Sequence, residues 1–276
     1  EMLFRKSILL AQDRDQVLVK YELLSSPAPA KLVLKPFLAF RNTHSLTYQN
    51  PDANTKGNAI QGGMAFRMYA NFPDLNLQVS DSKAKFIEEP YWNNNITYSD
   101  EYRRGFDCRE DLLVPGWFEC SLKEGGSVVF SASLSQEETA GLKRRFTSGV
   151  KAIGEITGYR DQLRCCADSL ITDHNGRMKI NAGLTWMYTG LLRETLVSLA
   201  GLSLYGLDSP KMFEEILDNL IADQQERLFR RTTQVEAPLY MACTLQDYID
   251  YGADEKAVWK KYGVIMRGII ESYLPG

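Results

Sequence analysis

The apolar residues of this chain change their period once, near Ser135, and this change limits the fold more than any other feature. Upstream, Val17, Val19 and Tyr21 alternate as a half-buried strand does. Leu32-Val33-Leu34 and, beyond Pro36, Phe37-Leu38-Ala39-Phe40 are short unbroken runs, which suit strands buried on both faces. Lys123-Glu124-Gly125-Gly126 before Val128-Val129-Phe130 predicts a hairpin turn. The long polar stretches Asn42–Gly63 and Pro90–Arg109 read as loops rich in Asn, Tyr and Trp. Downstream the period is 3.6. Ser135-Gln136-Glu137-Glu138 has the form of a capping box, followed by the stripe Leu142, Phe146, Val150, Ile153. Further helices are predicted over Arg160–Ile171, over Arg193–Tyr205 with Gly206 as its stop, and from Ser209 and Pro210 as N-cap and first residue. Two more cover Glu236–Tyr251 and Glu255–Leu274. Strands followed by helices, without alternation, mean an α+β arrangement or two separate domains.

Composition narrows the function. The chain has 276 residues, enough to bury a sizeable core in one large or two modest domains. A net charge of −3 with dispersed Lys and Arg gives no footprint for nucleic acid. No apolar run is long enough to span a bilayer, and nothing reads as a signal peptide, so no membrane partner is expected. Cys108, Cys120, Cys165, Cys166 and Cys243 are odd in number and irregularly spaced, which argues for reduced thiols and a cytoplasmic setting. With His44 and His174 as the whole histidine complement, a zinc site has a poor ligand supply, and no metal is expected.

One stretch places chemistry where a fold can use it. In Gln234–Tyr248, Leu239, Ala242, Cys243 and Leu245 recur at helical spacing, and Glu236 precedes them in the first turn. The helix dipole favours a carboxylate there. Glu236 is either a plain first-turn acid or a proton donor whose pKa an apolar pocket of Leu239 and Tyr240 raises.

Several segments go further and resemble bacterial glycogen debranching enzymes of the amylo-α-1,6-glucosidase type. Lys35-Pro36-Phe37-Leu38-Ala39-Phe40-Arg41-Asn42-Thr43-His44-Ser45-Leu46 is similar to that family's Arg-Pro-Phe-Leu-Ala-Phe-Arg-x-x-His-Ser-Leu. The stretch from Arg104 through Asp107, Glu110, Asp111 and Val114-Pro115-Gly116-Trp117-Phe118-Glu119 resembles its Arg-Gly-Tyr-Asp-x-x-Glu-Asp-Leu-x-Val-Pro-Gly-Tyr-Phe-Glu. Ala182-Gly183-Leu184-Thr185-Trp186 looks like its barrel-entry Ala-Gly-aromatic-Pro-Trp. The segment after it departs. One residue is added between Trp186 and Arg193, Glu194 stands for Asp, Ala200 for Pro, and Glu236 for Asp.

The resemblance implies an α+β chain: an antiparallel β-sandwich over 1–133, a linker with packing helices over 134–180, and the truncated start of an (α/α)6 catalytic toroid over 181–276. It implies an inverting α-1,6-glucosidase acting on glycogen or a related α-glucan, without cofactor. Glu236 would be the catalytic acid, and Trp186, Arg193, Glu194, Tyr240, Arg41 and His44 would contact substrate. The water-activating carboxylate of the family lies further downstream, so the chain by itself is expected to be inactive. The alternative is a non-catalytic carbohydrate-binding or interaction module derived from that family. An incomplete helical layer would expose Ile265, Ile269 and Ile270 and favour self-association. Asp107, Glu110 and Asp111 with Arg103, Arg104 and Arg109 read as a structural ion-pair network.

Overall fold

The computed structural model describes residues 1–11, 13–183, 190–229 and 235–274. They fall into two compact units, Glu1–Glu155 and Ile156–Gly276, with antiparallel sheets first and helices after them.

The strands of the first unit are β1 (Leu3–Leu10), β2 (Gln16–Ser25), β3 (Ala30–Leu34), β4 (Gly57–Ile60), β5 (Gly63–Phe66), β6 (Leu75–Val79), β7 (Lys85–Thr97), β8 (Arg109–Leu122) and β9 (Ser127–Ser133). Its helices are α1 (Ser99–Arg103) and α2 (Leu142–Ile153). One sheet has the order β1-β2-β9-β6-β5-β4 and the other β3-β8-β7. They share a core. Leu23, Phe66, Leu77 and Val128 of the larger sheet meet Leu34, Phe118, Cys120 and Leu122 of the smaller. Burial, helped by the Asp81 charge, pushes the Cys120 thiol up to about 11, so it behaves as a small apolar side chain.

On the other side of the larger sheet, Leu142 and Phe146 of α2 pack on Leu9, Leu18 and Val129. That contact carries the unit past residue 133 to Glu155. The rest of the α2 stripe stays exposed at Val150 and Ile153. The capping box does not form. The buried Glu137 accepts from Arg14 and Arg145 instead, its N–H donates to Gln78 at 2.7 Å, and a 3₁₀ turn over Thr139–Gly141 precedes α2.

Three local expectations change for physical reasons. The Lys123–Gly126 turn joins β8 to β9 in the opposite sheet, so it crosses the core rather than closing a hairpin. Gly125 takes φ +73° there, and its N–H donates to the Leu23 carbonyl. Phe37–Phe40 is no strand, because only Leu38 reaches the sheet, through a bridge to Leu113. Val33 and Phe37 stay exposed, since β3 is an edge strand covered on one face. In contrast, Pro90 lies inside a strand. β7 runs through it because the register to β8 slips between Glu88 and Tyr91, and a bulge tolerates the missing donor.

The second unit contains α3 (Tyr159–Leu170), β10 (Ile171–Asp173), β11 (Met178–Ile180), α4 (Leu192–Leu199), α5 (Pro210–Phe229), α6 (Tyr240–Asp250) and α7 (Glu255–Tyr273). A π-helical turn, Ala200–Gly206, extends α4, and a 3₁₀ turn, Ala237–Leu239, leads into α6. Leu196, Leu199, Phe213, Leu217, Met241 and Tyr262 centre one continuous core. Ser209 caps α5, its hydroxyl accepting the Met212 N–H at 3.3 Å, with Pro210 first in the helix. Asp254 caps α7 by accepting from the Ala257 N–H at 2.8 Å. A polar seam ties α5 to α6 and α7. Lys261 pairs with Glu214 and Asp218 at 2.9 and 2.8 Å, and the Tyr248 and Tyr262 hydroxyls donate to the same two acids. Burial and the Glu214 carboxylate push the Tyr248 phenol up to about 12. On α7, Ile269 is buried and Ile265 half-buried, while Ile270 faces out. The apolar face expected for self-association is therefore narrower than the sequence implied.

Candidate functional site

Three of the residues singled out from the sequence meet in the second unit. Arg193 and Glu194 occupy the first turn of α4, and Glu236 immediately precedes the 3₁₀ turn that opens α6. The Arg193 Nη1 donates to Glu236 Oε1 at 3.2 Å, and Nη2 donates to Glu194 Oε1 at 3.0 Å. One guanidinium thus bridges two carboxylates that are 42 residues apart in sequence (236 − 194). The packing beneath explains the meeting. Thr244, buried on α6, donates its hydroxyl to the Leu196 carbonyl on α4 at 2.8 Å, which pins the two helices near their first turns.

The electrostatics are those of an ionised, solvated site. The Glu236 side chain is 51% exposed. Its own backbone N–H, with Arg193 next, holds its carboxyl below the usual glutamate range. Glu194 and then Glu236 raise the Arg193 guanidinium further. A pKa-raising apolar pocket does not form around Glu236. Leu239 and Tyr240 are 47% and 37% exposed, since α6 turns Met241, Thr244, Leu245 and Tyr248 inward. The inward face is offset from the predicted stripe: Leu245 stays on it, while Leu239, Ala242 and Cys243 lie outside. Glu194 has one oxygen, Oε2, that is buried and without a hydrogen-bond partner among the described residues. Trp186 lies outside the described residues.

Arg41 and His44 belong to the first unit, and there the arginine is committed to a buried acid. Glu110 on β8 has 0% exposure. Both its oxygens face Arg41, through Nε and, at 3.1 Å, through Nη2. The Tyr98 hydroxyl and the Thr47 N–H donate to it at 2.5 and 3.1 Å. Burial pushes this carboxyl upward, but the bonds from Arg41, Tyr98 and Thr47 outweigh it and the net direction is down. Asp111 accepts the Gln49 and Asn95 N–H groups at 3.0 and 2.8 Å. Arg103 and Arg104 pair locally with Asp100 and Glu101, so the ion-pair network read from the sequence has other partners. The exposed His44 donates its backbone N–H to the Asn42 side chain at 2.9 Å.

The two long N-terminal motifs are therefore one structural feature, closed by Arg41–Glu110 and by the Leu38 N–H on the Leu113 carbonyl at 2.8 Å. Among the described residues, no group of three or more His, Cys, Asp or Glu side chains is arranged to hold a metal. No described helix is long and apolar enough to cross a membrane.

An antiparallel two-sheet domain stapled by a buried carboxylate is thus the first half of the chain. Residues 1–129 match the family model described as glycogen debranching enzyme N terminal. Neither the curated proteins nor the solved structures contain a match to the chain.

Proposed function

We propose that the chain is part of a glycogen debranching-type glycoside hydrolase, an inverting amylo-α-1,6-glucosidase acting on α-1,6 branches of glycogen or a related α-glucan in the cytoplasm. On this reading the helical unit is the start of an (α/α)6 toroid. The family match over 1–129 supports the class, and the observation that carries the site is the convergence of Arg193, Glu194 and Glu236. Glu236 protonates the glycosidic oxygen. Arg193 and Glu194 bond glucosyl hydroxyls, and Tyr240 and Trp186 offer ring faces.

A proton donor must first hold a proton. Glu236 can do so once a glucan draws Arg193 away and dries the carboxylate, both of which raise its pKa. Inversion also needs a second carboxylate about 6.5–9.5 Å away to activate water, and this reading assigns it to no residue of the chain.

The test is calorimetric titration of a branched malto-oligosaccharide into the wild type and Arg193→Ala. Binding that R193A weakens at least tenfold supports the assignment; a wild type that binds no glucan ends it. A second reading, a non-catalytic carbohydrate-binding module, draws on the exposure and lowered pKa of Glu236. A glucan-binding protein that recovers no glucose release when the rest of a toroid is supplied in trans fits this second reading.

A further inference from the structure

Beside the first turn of α4, on the side of β11 and α5, lies a recess of about 200 Å³, including the part open to solvent. Its inner end admits about one water-sized molecule. Ile180, Ile216 and Leu220 give it apolar walls, and Lys179, Asp223 and Thr195 supply the polar lining. Lys179 and Asp223 pair at 2.6 Å, each side chain 24% exposed. Thr195 is different. It is 1% exposed, its backbone N–H donates to the Leu191 carbonyl at 2.9 Å, and its hydroxyl oxygen is buried with no partner among the described residues.

An orphan hydroxyl in a protein interior gives up its bonds to water without replacement, and a threonine on the adjoining helix avoids that cost. Thr244 on α6 gives its hydroxyl to the Leu196 carbonyl. Thr195 sits at the fourth helical residue of α4, where the Leu191 carbonyl already takes its backbone N–H and does not take the hydroxyl as well, and the residue lines the recess. Thr195 also directly follows Glu194, whose Oε2 is likewise buried and unpartnered.

We propose that the recess is a hydroxyl-binding site, in which Thr195 holds a single O–H group supplied by a water molecule or by a sugar ring. A neutral O–H group meets the lining on its own terms. It donates to or accepts from Thr195 and finds further partners in the Lys179 ammonium and the Asp223 carboxylate, the two to four bonds a buried water takes. A charged group would have to break the Lys179–Asp223 pair, and an apolar one would leave the Thr195 hydroxyl unpaired. The sugar source rests on the proposed glucan function; the water source does not.

The experiment is thermal unfolding of the whole chain as wild type, Thr195→Val and Thr195→Ser, in buffer and with glucose. Valine keeps the shape and removes the hydroxyl. With water bound, T195V lowers the midpoint in buffer by about 3 °C and T195S by less. With a sugar hydroxyl as occupant, T195V raises the midpoint in buffer, where it removes an unpaired hydroxyl, but glucose raises the midpoint of wild type and T195S and leaves T195V unmoved. A T195V midpoint equal to or above wild type, with the same glucose response in both, overturns the site. Should T195V not fold, electron density in wild-type crystals decides: an oxygen within hydrogen-bond distance of Thr195 Oγ1 supports the site, and an empty recess overturns it. Glucan binding that R193A abolishes and T195V leaves intact separates a failure here from a failure of the proposed function.

Discussion

Glu110 and Glu236 are each held by an arginine, and their surroundings differ in every other respect. Glu110 is sealed between strand and loop, with Arg41, Tyr98 and the Thr47 N–H all bonding one carboxylate. Glu236 stands in solvent with one bond to Arg193, which it shares with Glu194. Burial and the number of bonds, rather than the presence of an Arg–Glu pair, separate the two. A fully satisfied buried carboxylate has no free lone pair for a substrate, and moving it would leave an uncompensated charge. An exposed one with a single shared partner can change protonation and partner at little cost. The same pairing chemistry therefore builds a staple in the first unit and a solvent-facing, exchangeable bridge in the second.

The comparison breaks most visibly at the staple. Arg41→Ala leaves Glu110 buried beside Tyr98 and Thr47 alone. It should destabilise the first unit by about 3 kcal/mol, the lower end for breaking a buried pair, because Arg41 is itself 21% exposed. Urea unfolding followed by the near-ultraviolet signal of Trp92 and Trp117, with Trp186 and Trp259 replaced by Phe in both proteins, reads this directly. A midpoint within error of wild type would mean that Glu110 is not charged in the folded protein.

The staple also sets an acid limit. The folded pKa of Glu110 lies below its unfolded value, so the unfolded chain binds the proton more readily. Its contribution is thus fully present above the ordinary glutamate pKa and is lost as pH falls through the lower, folded value. Glu110→Gln removes this dependence and costs less than R41A, since an amide still accepts from Thr47 and Tyr98. Urea midpoints taken from neutral pH downward should fall more steeply in wild type than in E110Q. Parallel acid limbs would assign the acid sensitivity to other carboxylates.

Much of this contrast was hidden in the sequence, for reasons that differ by element. Features governed by residues close in the chain were legible: the Ser209–Pro210 start of α5, the stop of α6 before Gly252 at φ +123°, the strand period of β2. The sharing of one core by two sheets was not, because the Lys123–Gly126 turn has hairpin chemistry whichever sheet receives the next strand. β7 was obscured by Pro90, whose effect depends on a bulge that only the register with β8 reveals. Arg41 and Glu110 lie 69 residues apart, and acids beside Glu110 offered nearer arginines as decoys. At Glu236 the position at a helix start was readable, but its solvation was not. Thr244 looks polar in sequence, yet it faces the core because its hydroxyl has an acceptor on α4, and this rotates Leu239 and Tyr240 outward.

Thr244 offers a smaller, sharper test of the second region. Thr244→Val keeps the volume and strands the Leu196 carbonyl, at a cost of about 1 kcal/mol. The variant should unfold a few degrees earlier, and its α4 amides should exchange faster than those of α7. Equal exchange in the two helices would remove the pin as the reason Arg193 meets Glu236.

The smallest effect on stability belongs to Arg193, and it is the most telling for function. Arg193 and Glu236 are solvated and Glu194 is partly so, with side chains 44%, 51% and 24% exposed, so Arg193→Gln should move the unfolding midpoint little. The Glu236 carboxyl should still move. Its own backbone N–H continues to favour the ionised form, but the cation that assists it is gone, so the pKa rises toward the ordinary glutamate range without reaching it. Carboxyl carbon shifts of Glu236 followed through an acid titration read this independently of folding. A pKa identical in wild type and R193Q would show that the bridge does not persist in solution. A rise with unchanged stability would instead mark Glu236 as a carboxylate whose proton affinity is set by where Arg193 points, the property a glucan needs if it is to turn this acid on by taking the arginine for itself.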